Sequence, residues 1–124
     1  MKKAKFSFED LEVWKKAVEF AHEVVNIAEN IQTDRKHFRL IEQLEAASTS
    51  VALNIAEGKG RYSKKEFIQF LYISRGSLYE TVTLLIIFNK NNWIDDKQLN
   101  ELKIFGSDIG KMLSSLINSI RKNS

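Results

Sequence analysis

Glu19-Phe20-Ala21-His22 sets a carboxylate and an imidazole three residues apart, the spacing with which helical bundles ligate a pair of iron ions, and Asp34 and His37 repeat it. A centre of that kind needs two such pairs and two further glutamates, all turned inward. Glu19 lies off the apolar stripe marked by Val18, Ala21 and Val25, and Asp34 falls at a helix start, so no metal is expected. Neither His22 nor His37 has a nucleophile at a spacing that would make a catalytic pair, and both read as surface histidines. Gly58 and Gly60 lack the preceding strand and the Gly-Lys-Ser/Thr ending of a phosphate-binding loop. The chain has no cysteine, which removes disulfides, thiolate ligands and thiol nucleophiles. No enzymatic activity, cofactor or small-molecule substrate is expected.

What the sequence offers instead is charge. Lys59, Arg61, Lys64 and Lys65 crowd one short segment with Tyr62 among them, a set that suits phosphate, with the tyrosine available to stack on a base. The formal net charge over 124 residues is only +3, too small by itself to imply a nucleic-acid partner. Whether these cations act together therefore depends on the elements that carry them.

Those elements read as helices. The chain has no proline, 44% of its residues are apolar, and 28% are charged, the balance of a single globular domain over 1–124 built from long helices. Phe6-Ser7-Phe8-Glu9-Asp10-Leu11 reads as a helix start, with Ser7 as N-cap and Phe6 stapled onto Leu11. Leu11, Trp14, Val18, Ala21, Val25 and Ala28 continue it as one stripe. Thr33 or Asp34 can cap a second helix carrying Ile41, Leu44, Val51 and Ile55, which Gly58 ends as a left-handed residue. Ser63 and Glu66 form a capping box at the start of the third, and Asp95 with Gln98 does the same for the fourth. The predicted helices span about 8–31, 35–57, 64–89 and 96–121, an all-α, antiparallel up-down-up-down four-helix bundle.

In that topology the N-terminus, the turn between the second and third helices and the C-terminus share one end. Lys2, Lys3, Lys5, Lys59, Arg61, Lys64, Lys65, Arg121 and Lys122 then meet Glu9, Asp10, Glu12, Glu57 and Glu66, an excess of four positive charges. The N-termini of the first and third helices face the same way, and their free amides favour anions. The plainer alternative is a solvated basic end that keeps the protein soluble.

Several residues read as rules of assembly. Asn54 falls on the inner side of the second helix and is expected to bond a neighbouring helix and set register, with Glu57 along the same line. Gly76 inside the third helix costs about 1 kcal/mol relative to alanine, a cost that a close helix crossing would justify. The third helix is apolar around most of its circumference, through Ile68, Tyr72, Ile73, Tyr79, Val82, Leu84 and Ile86, which suggests a surface shared with other copies.

Phe8-Glu9-Asp10-Leu11-Glu12-Val13-Trp14-Lys15-Lys16-Ala17, Gln43-Leu44, Asn54-Ile55-Ala56-Glu57-Gly58, Gly60-Arg61 and Phe70-Leu71 with Gly76-Ser77-Leu78 resemble the four-helix-bundle family of 23S rRNA intervening-sequence proteins, over nearly the whole chain. The resemblance implies a bacterial bundle that assembles into a homo-oligomeric ring, a pentamer. It also implies similarity to the accessory variability determinant of diversity-generating retroelements, a basic bundle that binds nucleic acid beside a reverse transcriptase. It brings no catalytic residues. Glu45 and Ala46 stand where the family has two arginines, and Ala52 where it has proline, which takes positive charge from that face and leaves Arg61 and the neighbouring lysines. The expectation is a cytoplasmic, membrane-free protein that binds RNA or assists a nucleic-acid enzyme. Its rival is a protein-interaction module whose basic end is incidental.

Overall fold

Phe20 is completely buried and meets the edge of Phe105 with ring centroids 5.5 Å apart, in one core to which four helices contribute side chains. The computed structural model describes residues 2–31 and 37–123, and among these there is no strand. A 3-10 turn at Ser7–Asp10 precedes α1 (Glu12–Glu29), followed by α2 (Phe38–Lys59), α3 (Lys64–Lys90) and α4 (Asp96–Lys122).

The start of the first helix differs from expectation. Ser7 does not cap it, because Leu11 takes an extended conformation and serves as N-cap without a side-chain bond. Phe6 stacks on Phe8 at 5.6 Å, and Phe8 on Trp14 at 5.1 Å, so the aromatic chain takes the place of a staple onto Leu11. The buried stripe is also rotated, to Val13, Ala17, Phe20, Ala21, Val24 and Ala28, leaving Val18 at 37% exposure. Both stripes have helical spacing, and the one that buries Phe20 removes more apolar surface from water. The expected caps at Thr33 and Asp34 lie outside the described residues.

Helices α2 and α3 make the tightest seam. Ser50 and Ser77 hydroxyls share a hydrogen bond at 2.8 Å, Ser74 donates to the Val51 carbonyl at 2.7 Å, and Gly58 lies against Phe67 and Phe70. Numbers thus rise along α2 as they fall along α3. Asn54 spends its amide on its own helix, donating to the Ser50 carbonyl and hydroxyl, each at 2.8 Å, so its reach to α3 runs through Ser50. Replacing Ser77 with alanine is expected to cost about 1 kcal/mol, the worth of one part-buried hydrogen bond, measurable by urea denaturation.

Two glycine assignments change. Gly58 is not a left-handed cap: no residue at this helix end has positive φ, and Gly60 closes α2 in right-handed geometry. Its role is space, since a Cβ there would sit 2.6 Å from Phe70 Cβ. Gly76, in contrast, has nothing within 4 Å of the position its Cβ would take, so the close crossing inside the chain belongs to Ser74 and Ser77 instead. On α4, Gly106 would meet Leu78 at 3.3 Å and Gly110 would meet it at 3.5 Å, which lets α3 settle against them.

The apolar run from Leu84 to Phe88 is mostly core: Leu84, Leu85 and Phe88 are buried, and Ile87 is its exposed member at 39%. Asn92 is left-handed, at φ 63°, in the α3–α4 connection, where asparagine tolerates that geometry better than most residues. Asp95 accepts from Gln98 N at 2.7 Å while Gln98 Oε1 accepts from Asp95 N at 2.9 Å, a complete capping box. Every buried polar side-chain atom among the described residues has a partner.

Candidate nucleic-acid interface

The turn from Gly60 to Ser63 is made by helix-end hydrogen bonds: Gly60 N reaches the Ala56 and Glu57 carbonyls, and Arg61 N reaches Gly58 O at 3.1 Å. Its cations are held rather than loose. Arg61 pairs with Glu57 at 3.1 Å and lies over the Phe70 ring, 4.7 Å from its centroid. Lys59 lies 5.8 Å above the Phe67 ring. The aromatic residues that demand a glycine at 58 therefore also position the two cations. Glu57, grouped with the structural residues, is the carboxylate that orients Arg61 and offsets its charge.

Ser63 accepts from Glu66 N at 3.1 Å, but the return half of the expected box does not form. The Ser63 hydroxyl donates to the Glu66 carboxylate instead, at 3.1 Å. The α3 N-terminus thus has one amide already engaged and a carboxylate close by, which weakens it as an anion site. In the turn before α1, Glu9 Oε2 accepts from Phe6 N at 2.8 Å.

Lys64 donates to the Asn123 carbonyl and so ties the start of α3 to the end of α4. That contact brings Arg121 and Lys122 to the Lys59–Lys65 cluster. Lys2 and Lys3 are exposed, and Lys5 is turned to Asp10 at 2.5 Å. This hydrogen bond, reinforced by the opposite charges, holds the Lys5 ammonium above its ordinary pKa and the Asp10 carboxyl below its own. The 3-10 turn that follows these lysines packs on α2, while Leu11 to Val13 border Met112 and Leu116 of α4.

The structure adds Tyr72 and Arg75 to the expected cations. Arg121 donates to the Tyr72 hydroxyl at 3.0 Å, and the Tyr72 ring lies 4.8 Å from the Arg75 guanidinium and 5.6 Å from that of Arg121. Arg75 also donates to Ser114 at 3.4 Å. The basic surface therefore continues along the α3–α4 side. The Tyr72-x-x-Arg75 spacing on one helix was the available signal; the meeting with Arg121 was not legible.

Of the residues weighed for other chemistry, His22 is exposed and 3.4 Å from Asn26, whereas His37 is half-buried on Trp93, with centroids 4.4 Å apart, and so is less a surface residue than expected. Glu19 is exposed, and Asp34 lies outside the described residues. Among the described residues no three acidic or histidine side chains gather as metal ligands. An open groove of about 840 Å³ runs between α3 and α4, floored by Leu78, Val82, Gly106 and Gly110 and rimmed by Lys103 and Lys111.

The fold is similar to the crystal structure of a protein of unknown function from the S23 ribosomal protein family of Bacteroides thetaiotaomicron. The TM-score is 0.79 with 28% identity, over 85% of this chain and 97% of that one. No curated protein shows a significant match to the chain. The family model described as 23S rRNA-intervening sequence protein matches residues 9–115, and the chain belongs to that family.

Proposed function

We propose that this protein is a non-enzymatic, cytoplasmic, homo-oligomeric bundle of antiparallel up-down-up-down helices that binds RNA through its basic end, alone or beside a nucleic-acid enzyme. The contact between Lys64 and the Asn123 carbonyl carries the reading, because it gathers the cations of the α2–α3 turn and of the α4 end into one surface. Ring-held arginine and lysine heads lose less freedom on meeting phosphate than free ones would. The family description points the same way, and the opposed numbering across the α2–α3 contacts supports the antiparallel course. The direct test is gel retention of a structured RNA at low salt. A retained complex is expected, and absence of any complex there overturns the reading.

A second observation bears on assembly. By length and composition α3 is apolar enough to cross a membrane, yet 33% of its most apolar stretch is buried within the chain. Ile73 and Tyr79 are 52% and 61% exposed, with Ile87 farther along and Leu53 on α2 at 65%. Gly76 is exposed between Ile73 and Tyr79 in sequence, a mid-helix glycine with no close neighbour inside the chain. A helix from another copy approaching there would account for it, and a ring of five such copies is the proposed assembly. Gly76→Ala is then expected to stabilise the isolated chain by up to about 1 kcal/mol through helix propensity while weakening the oligomer. Sedimentation and thermal melts on the same samples check this; an unaffected oligomer removes Gly76 from the interface. If RNA binding fails while assembly holds, the scaffold alternative stands.

A further inference from the structure

We infer that the basic turn takes unpaired nucleotides in preference to duplex, with Tyr62 stacking on an exposed base; the inference rests on the nucleic-acid reading above. The turn contains or borders three aromatic rings with different fates. Phe67 is half-buried beneath Lys59, and Phe70 is half-buried beneath Arg61. Tyr62 is fully exposed, at 107%, and among the described residues no cation, ring or hydrogen-bond partner engages it. Farther along α3, Tyr72 is already occupied by Arg75 and Arg121. Tyr62 is therefore the ring of the basic surface with an open face.

An open aromatic face discriminates between nucleic-acid forms. In a duplex the base planes are covered by their neighbours, and a protein side chain meets phosphates and groove edges. In a single strand, loop or bulge a base plane is open, and stacking on tyrosine adds to the phosphate contacts without regard to base identity. Lys59, Arg61, Lys64 and Lys65 lie within three residues of Tyr62 on either side. These cations can hold the flanking phosphates of either form, whereas Tyr62 contributes only where a base is free.

The test compares Tyr62→Ala with the parent protein on one oligoribonucleotide, first as a single strand and then paired with its complement, at the same low salt. Because Tyr62 is solvent-exposed and supports no packing, the variant should fold as the parent does, which a thermal melt checks. Expected is a loss of about 5- to 150-fold on the single strand and less than about twofold on the duplex, with Tyr62→Trp restoring or tightening the single-strand complex. The deoxy single strand should lose to the same extent, because a stacked ring does not sense the sugar. No loss on the single strand, or equal loss on both forms, overturns the stacking assignment while RNA binding by the basic end stands. A loss confined to the ribose strand also overturns it. Failure of the parent to bind either form overturns both.

Discussion

Gly58→Ala is expected to destabilise the fold by about 1–3 kcal/mol even though alanine is the better helix former, because overpacking at a tight seam outweighs propensity. The new Cβ would lie 2.6 Å from Phe70 Cβ, 3.1 Å from Phe67 Cδ1 and 3.3 Å from the Phe67 carbonyl. Two of these atoms are backbone or one bond from it, so a rotamer change cannot relieve them. The last turn of α2 and the first of α3 would have to part, and the short turn joining them at Gly60–Ser63 leaves little slack. Each kcal/mol should lower the melting midpoint by roughly 3–5 °C for a domain of this size. Gly60→Ala is the matched control: its nearest contact would be an ordinary 3.5 Å and its φ is −82°, so its melt should hardly move. Equal effects at the two positions would remove close approach as the explanation. Parting the helices should also lift Lys59 and Arg61 from the Phe67 and Phe70 rings, so RNA affinity should fall along with stability.

Arg61→Glu combined with Lys65→Glu is expected to abolish most RNA binding and to flatten its salt dependence without unfolding the protein. Both side chains are exposed, and what is lost is the Arg61–Glu57 pair, worth a few tenths of a kcal/mol for an i,i+4 ion pair on a helix surface, and the contact of Arg61 with the Phe70 ring, worth about 0.5–1 kcal/mol at an exposed site. If about five phosphates are neutralised per protomer, affinity for the parent should drop roughly 100- to 500-fold between 50 and 200 mM salt. Removing two of those contacts should reduce the drop to roughly 20- to 40-fold, on top of a weaker starting affinity. Affinity measured against salt by fluorescence anisotropy gives both quantities. An unchanged slope would place the phosphate contacts elsewhere, with the Arg75–Arg121 side the next surface to reverse.

Capping is local, and at the starts of α3 and α4 it was legible. Asp95 and Gln98 form the box their spacing predicts, α3 begins at Lys64 after Ser63, and Leu102, Gly106, Ile109 and Leu113 recur at steps of three and four along the buried side of α4. Where two local solutions were nearly equal, the sequence could not choose. The Val13–Ala17–Phe20–Val24 stripe and its Leu11–Trp14–Val18 rival share one period, and burial of Phe20 against Phe105 decided between them. The glycines show the same limit. A glycine near a helix end can serve conformation or space, and Gly58 serves space because Phe67 and Phe70 of another helix demand it.

The candidate interface divides along the same line. The cluster of Lys59, Arg61, Tyr62, Lys64 and Lys65 is contiguous in the chain and needed no fold to be seen. That Arg61 and Lys59 rest on rings of α3, that Lys64 reaches the end of α4, and that Arg121 of α4 meets Tyr72 of α3 are contacts between distant segments. Sequence by itself determined four helices, the N-caps at Ser63 and Asp95, the family and the charge available at one turn, because hydrogen bonds and hydrophobic period within a helix depend on near neighbours. Tertiary structure alone decided which face of α1 is buried, which glycine is a contact and which cations form one surface, because those outcomes turn on the shapes of side chains brought together from distant parts of the chain.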